Sequence, residues 1–366
     1  MQNSKVKADT IRLLKTGSLI VAGAPYQELF LPYMRQISVD HEWILLSDSN
    51  VFALYGQDFT ELLQSQGNLL GTIVFPAGEE HKNLATLDYI YQQLVNQGAD
   101  RHTAIIALGG GVVGDMAGLA AATYMRGVDV VQVPTTLMAQ IDSSIGGKTG
   151  VNLTQGKNLV GSFHHPRLIF IDPAFLGTLK PEEYRNGLSE LLKYALLSGP
   201  EFFHYLENER AGIKKGELDS LYPAIQHSIK LKTELVEQDE QDRGVRQFLN
   251  LGHTLAHALE SVIHYRQYTH GQAVSVGLIF ALHLSESYFH LDPVWRHRTE
   301  KLLQYWQLPV ACKDVSADRI RAAMQNDKKN ISGTTKMVLL KKPGQCQLVT
   351  IESSDELINL INRLSV

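Results

Sequence analysis

Five short apolar runs, each bounded by turn-forming or charged residues, constrain the fold of this chain more than any other feature. They span 42–48 (ending in Asp48), 72–75 (closed by Pro76), 104–108 (running into Gly109-Gly110-Gly111), 128–134 and 168–172. Helix-like stretches separate them, among them 84–97 and the alanine-rich 115–125. A strand apolar on both faces has to be covered on both. Runs of this kind alternating with helices therefore predict a parallel sheet with helices on either side. The pattern changes near residue 180. The segments 182–198, 201–215, 219–240, 246–262, 271–291 and 295–306 read as helices, and Gly199-Pro200 stops the first of them. Strand signals return only at 337–340 and 347–350. We expect an α/β domain over 1–180 and a mostly α-helical domain over 181–366, with the active site in the interdomain cleft.

The bulk numbers narrow the function classes. A chain of 366 residues has room for two cores. Its net charge of −4 supplies no global field for nucleic acid, so an anionic ligand must be met by local lysines and arginines. Two cysteines give neither a disulfide framework nor a cysteine zinc site, which fits a reducing compartment. Residues 1–15 carry no apolar segment of the signal-peptide kind, and no apolar run approaches the roughly 20 residues of a membrane span. The expectation is a cytoplasmic protein with neither membrane nor nucleic-acid partners.

The third apolar run leads into Gly109-Gly110-Gly111-Val112-Val113-Gly114-Asp115, which contains Gly-x-Gly-x-x-Gly between a strand and a helix. Glycines there allow a tight turn and let backbone N–H groups approach a pyrophosphate at the helix N-terminus. The plain alternative is a crowded turn with no ligand. Asp48, closing an earlier strand, is placed to accept ribose hydroxyls and would repel a 2′-phosphate, favouring NAD. It precedes the glycines instead of following them, so the domain is Rossmann-like and not a standard Rossmann unit. Downstream, Asp142 and Gly146-Gly147-Lys148-Thr149 lead to Gly156-Lys157-Asn158. Ammonium groups and glycine backbone suit an anion. A P-loop is excluded, because Asp142 stands where its first glycine belongs.

In the helical half, His253 and His257 lie one turn apart on a predicted helix face, and His270 follows beside Gly271. Glu190 and Lys193 share another helical face. Two imidazoles and one carboxylate with an open position form the pattern of catalytic zinc. Taken singly, each is as well explained as a surface histidine or a surface ion pair. Helical spacing alone makes His253 and His257 the natural ligand pair. Lys232, Arg246 and Asp327-Lys328-Lys329 add cations to apolar surroundings.

Together, the blocks 109–115, 122–127, 134–136, 142–158, 250–260 and 327–329 resemble the 3-dehydroquinate synthases, of the sugar phosphate cyclase superfamily, over about residues 48–340. The resemblance implies NAD held by Asp48, Asn50, Glu79 and Lys82 on its adenosine side. Gly110, Gly111, Val112 and Asp115 would form the pyrophosphate turn, with Thr135, Thr136, Lys148, Lys157, Phe175 and Thr178 close by. It implies zinc or cobalt on Glu190, His253 and His270, and moves His257 from the metal to the substrate phosphate. Arg126, Asp142, Lys148, Asn158, Lys193, Lys232, Arg246, Asn250, His257 and Lys328 match substrate-contacting positions. The implied reaction turns 3-deoxy-D-arabino-heptulosonate 7-phosphate into 3-dehydroquinate and phosphate, a step of aromatic amino acid biosynthesis. It runs through transient oxidation by NAD, β-elimination, re-reduction, ring opening and aldol closure. The enzyme would be a lyase and, by resemblance, a homodimer. Gln272 stands where many members carry Glu, and Ala256 where Gly is frequent. The rival readings are a sister cyclase whose sugar phosphate lacks the carboxylate, a metal-dependent polyol dehydrogenase that releases NADH, and an inactive binding protein.

Overall fold

A computed structural model describes residues 8–37, 42–262, 268–313, 315–325, 334–352 and 355–364. The chain divides into two compact units, Met1–Leu179 and Lys180–Val366.

The first unit is built on a seven-stranded sheet. Its strands are β1 (Asp9–Arg12), β2 (Leu19–Ala22), β3 (Trp43–Asp48), β4 (Leu69–Phe75), β5 (Ala104–Gly109), β6 (Asp129–Pro134) and β9 (Leu168–Ile171), in the order β1-β2-β9-β6-β5-β3-β4. Every pairing is parallel except β1 with β2. The helices are α1 (Tyr26–Gln36), the single turn α2 (Ser49–Val51), α3 (Gln57–Gln64), α4 (Leu84–Asn96) and α5 (Gly111–Thr123). Alternate strand residues feed two cores. Ile44, Leu46, Ile105, Ala107 and Val130 pack with residues of α4 and α5. Leu45, Ile106, Leu108, Val131 and Val133 pack with residues of α1 and α3. The sheet is thus covered on both faces, as the uninterrupted apolar runs require.

Strand order places the ligand-binding end. From β3 the chain steps outward to β4, returns to β5 and proceeds the other way to β6 and β9. The order reverses between β3 and β5, and ligands of open α/β sheets bind beyond the carboxyl ends of the strands at such a reversal. Register brings Asp48, Gly109 and Pro134 to that end, since Ser47 pairs with Leu108 and Gly109 with Pro134.

Several features of this unit depart from the pattern expected. Strands β1 and β2 and helices α1 and α3 were not anticipated; β1 is polar and exposed along most of its length, whereas β2 is short, apolar and buried. The glycine- and lysine-rich stretch after Asp142, given no element from the sequence, is an antiparallel hairpin, β7 (Lys148–Leu153) with β8 (Gly156–Phe163). The alanine-rich helix starts at Gly111 instead of Asp115 and ends at Thr123; Met125 and Arg126 follow with left-handed φ of 49° and 68°.

The second unit contains α6 (Pro181–Ser198), α7 (Pro200–Asn208), α8 (Arg210–Lys215), α9 (Leu218–Gln238), α10 (His253–Val262), α11 (His270–Phe289), α12 (Val294–Tyr305), α13 (Ala317–Gln325) and α14 (Asp355–Leu364). One antiparallel hairpin joins them, β10 (Thr334–Lys342) with β11 (Gln345–Glu352). Helices α13 and α14 were not anticipated. The stretch 201–215 is two helices meeting at Glu209, and 246–262 is not one helix. Val245–Asn250 forms a 3-10 turn, and α10 begins only after Leu251-Gly252. The break has a packing cause. Gly252 has φ +80°, and a Cβ on Gly277 of α11 would lie 2.0 Å from the Gly252 carbonyl oxygen. Only glycine at both positions lets the two backbones approach so closely. Among the described residues no helix is long and apolar enough to cross a membrane.

Candidate functional site

The second unit gathers three residues that could hold a metal ion, Glu190, His253 and His270. Helix α6 starts with Pro181 in its first turn, where proline fits without loss of a hydrogen bond, and most of its later residues are buried. It carries Glu190 and Lys193 into the interior at 0% and 1% exposure. Lys193 Nζ lies 2.5 Å from Glu190 Oε2. The other carboxylate oxygen, Oε1, faces His253 Nε2 at 3.3 Å and His270 Nε2 at 3.4 Å. One ligand atom from each of the three residues falls within 4.8 Å of the others. Each histidine is the first residue of its helix. Thr269 and Gln272 close a capping box over the start of α11. Gln272 therefore serves the helix end, a task an uncharged amide performs as well as a carboxylate.

These residues fit a cation. Zinc ligands at about 2.1 Å in tetrahedral array lie roughly 3.4 Å from one another, close to the two carboxylate–imidazole separations. Neither oxygen of Glu190 meets a donor in good hydrogen-bonding geometry, although nitrogens surround both. A cation at the centre would resolve that contact without alignment. Both rings also have their outer nitrogens engaged. His253 Nδ1 is 3.1 Å from the Leu251 carbonyl, and His270 Nδ1 is 3.3 Å from Glu260 Oε1. A ring that donates through Nδ1 turns an Nε2 lone pair inward.

His257 is not in the group. It is exposed, with its ring 5.5 Å from that of His253 and nearly perpendicular to it. The pair expected from helical spacing is replaced by His253 with His270, brought together from two helices. Burial alone would push the Glu190 carboxyl up, but Lys193 and the two imidazoles hold it well below its usual range. Burial disfavours a charged His270, yet Glu190 and Glu260 outweigh it and raise its pKa to about 10.

Other cations of this unit are buried as well, Lys232 at 5% and Arg246 at 2% exposure. Arg246 Nη1 donates to the Glu240 carbonyl at 2.6 Å, and its backbone N–H donates to Asp239 Oδ2 at 3.1 Å. Asn250 Nδ2 donates to the Gln247 carbonyl at 3.1 Å. Two cations in the interior of this unit suit an anionic ligand, because charges attract more strongly away from water. Lys328 lies outside the described residues.

In the first unit, Asp48 Oδ1 accepts from the N–H groups of Asn50 and Val51 at 2.8 and 3.0 Å. Gly110 caps α5 without a side-chain hydrogen bond, which leaves the amides of the first turn, from Gly111 and Val112 onward, to be satisfied from outside. The Thr135 N–H donates to the Gly109 carbonyl at 3.0 Å, and Thr136 Oγ1 accepts from Ala139 at 3.2 Å. Beside this turn Lys82 is ion-paired with Asp115, and its Nζ donates to Asn158 Oδ1 at 2.6 Å. Asp115, expected at the pyrophosphate, thus holds Lys82. Lys157 Nζ lies 3.7 Å from Glu79. Asn152, to which the sequence reading gave no role, ties the group together. It donates to Glu79 Oε1 at 2.8 Å and accepts from the Asn158 N–H at 3.0 Å. Its only sequence signal was its place between the two lysines.

Asp142 is half-buried in the turn Ala139–Ser143, while Lys148 and Arg126 are exposed. Phe175 is 2% exposed, with its ring against Tyr26 and Tyr55, so its side chain serves the core. Thr178 Oγ1 lies 2.6 Å from the Tyr55 hydroxyl.

Two family models match the chain, the 3-dehydroquinate synthase N-terminal region over residues 72–186 and its C-terminal region over 187–330. The chain is 41% identical to the 3-dehydroquinate synthase of Syntrophotalea carbinolica over 320 residues, 87% of this chain and 88% of that one. It is 39% identical to the Acinetobacter baylyi enzyme over 319 residues, 87% of each chain. Among solved structures it resembles 2-deoxy-scyllo-inosose synthase complexed with carbaglucose-6-phosphate, NAD+ and Co2+, with a TM-score of 0.87 and 26% identity over 98% of this chain and all of that one. The 2-epi-5-epi-valiolone synthase of Streptomyces hygroscopicus, with NAD+ and Zn2+ bound, gives 0.86 and 27% over 100% and 98%. The Glu190–His253–His270 centre, the glycine turn at a strand-order reversal and both family matches converge: this chain belongs to the 3-dehydroquinate synthase family.

Proposed function

We propose that this protein converts 3-deoxy-D-arabino-heptulosonate 7-phosphate to 3-dehydroquinate and phosphate as an NAD- and divalent-metal-dependent lyase. The observation that carries the reading is the convergence of Glu190, His253 and His270, within a chain about 40% identical to 3-dehydroquinate synthases. When bound, the cation would polarise substrate hydroxyls as a Lewis acid and NAD would accept and return a hydride. The chain's own residues supply the rest. Glu190 would hold the cation through Oε1 while Lys193 anchors Oε2. Asp48, Asn50, Glu79, Lys82, Lys157, Thr178 and the turn from Gly110 would bind the dinucleotide, with backbone amides on the pyrophosphate. Lys148, Asn158, His257 and Lys328 would bind the phosphate, with Arg126 offsetting charge around it. Lys232, Arg246 and Asn250 would hold the carboxylate and hydroxyls. Two buried cations are well suited to a carboxylate, because ion pairs strengthen away from water. This favours a substrate with a carboxylate over the sugar phosphates of sister cyclases.

The test is a coupled phosphate-release assay with zinc or cobalt and catalytic NAD. The heptulosonate phosphate, sedoheptulose 7-phosphate and glucose 6-phosphate would be compared side by side. Phosphate and dehydroquinate should form from the first alone. Stoichiometric accumulation of NADH would overturn the reading in favour of a dehydrogenase. In the same assay His257→Ala should retain metal and lose turnover, whereas His253→Ala should lose the metal.

A further inference from the structure

His270 has two ring nitrogens, and only one can face a cation. Nε2 is 3.4 Å from Glu190 Oε1, while Nδ1 is 3.3 Å from Glu260 Oε1. Glu260 lies on α10 two turns beyond His253, so one helix face presents both groups to the centre. It meets the centre at His270, which belongs to α11. At 2% exposure Glu260 is too buried for an ordinary surface acid, and a carboxylate is buried at this depth only with partners.

The backbone around His270 is fixed by other means. Thr269 Oγ1 donates to Asn186 Oδ1 at 2.5 Å, and a Cβ on Gly271 would lie 2.4 Å from the Asn186 Cα. The start of α11 is thereby locked onto α6 one turn before Glu190. These contacts set where His270 begins, but they do not choose which ring nitrogen carries the proton. The second imidazole supplies a contrast: His253 Nδ1 lies against a neutral carbonyl, that of Leu251.

We propose that Glu260 is a positioning residue of the metal centre: its carboxylate accepts the Nδ1–H of His270 and so presents the Nε2 lone pair to the cation. A carboxylate behind a ligating imidazole also strengthens it as a donor, which makes His270 the stronger of the two imidazole ligands. This rests on reading Glu190, His253 and His270 as a metal centre.

The test compares the parent protein with Glu260→Gln and Glu260→Ala, with zinc and cobalt affinities measured by chelator competition and the ring nitrogens followed by 15N NMR. Glu260→Ala should weaken binding by roughly 10–100-fold, the range for loss of such a partner. Glu260→Gln should recover part of this, because its amide oxygen can still accept from Nδ1–H. In the metal-loaded parent, His270 should be protonated on Nδ1. A folded Glu260→Ala protein that binds within about twofold of the parent would overturn the proposal. So would Gln performing no better than Ala, which would mean that charge acts and the hydrogen bond does not. Should the alanine variant fail to fold, the parent spectrum decides: His270 ligating through Nδ1 overturns the assignment. A parent that binds neither zinc nor cobalt would instead remove the metal-centre reading itself.

Discussion

The two units handle charge in opposite ways. In the first, the polar candidates stand on turns and a hairpin beside the carboxyl ends of strands, and the Lys82–Asp115 pair is 5% and 19% exposed. In the second, the Glu190–Lys193 pair is 1% exposed on both sides, with Glu260, Lys232 and Arg246 buried as well. The first unit suits recognition by backbone amides and rim side chains, which water can partly replace. The second is built from charges whose partners water cannot replace, and they adjoin the three residues that could hold a metal ion.

The sharpest way to break this comparison is to remove one charge from each pair. Glu190→Ala should abolish metal retention and lower folding stability by about 3–5 kcal/mol, because Lys193 is left buried without its carboxylate. Lys82→Ala should cost distinctly less, roughly 1–3 kcal/mol, because Asp115 reaches solvent. Denaturant unfolding of both proteins checks this, and equal losses would dissolve the distinction. An effect of similar size is expected from Gly277→Ala. Its new Cβ would meet the Gly252 carbonyl and push α10 from α11, at a cost of about 1–3 kcal/mol. The displacement should weaken metal retention as well, since both helices begin with a ligand. Unchanged metal content would show that the break at Gly252 does not position His253.

A further test is pH. His270 titrates near 6.5 in the unfolded chain and at about 10 in the metal-free fold. The stability that its imidazolium contributes is therefore fully present below about pH 6.5 and lost as pH rises toward 10. Metal-free protein should show a falling denaturation midpoint across that window. The metal-loaded protein should show less of the fall, because the cation stands in for the proton. Parallel curves for the two forms would separate His270 from the metal.

What could be read from the chain alone followed from local rules. Uninterrupted apolar runs require a sheet covered on both faces, and the glycine turn after the third run requires a close backbone approach at a helix start. Both are consequences of neighbouring residues; the covered sheet and a helix starting at Gly111 appear in the fold. Even the switch to helices after residue 180 is a matter of short-range periodicity. The resemblance to a family supplied the ligand set that spacing alone did not.

Helical spacing pointed to His253 and His257, one turn apart, because adjacency on a helix face is a local property. Tertiary structure decided otherwise. Glu190 comes from α6, His253 from the start of α10 and His270 from the start of α11. Two glycines that permit the α10–α11 approach, and the Asn186–Thr269 contact that locks α11 onto α6, bring them together. Glu260 closes the block 250–260 but was given no role there, since its partner His270 stands on another helix. The residue types at this centre are thus set by the sequence. Which of them meet is set by packing between helices, an interaction among surfaces far apart along the chain that no local periodicity encodes.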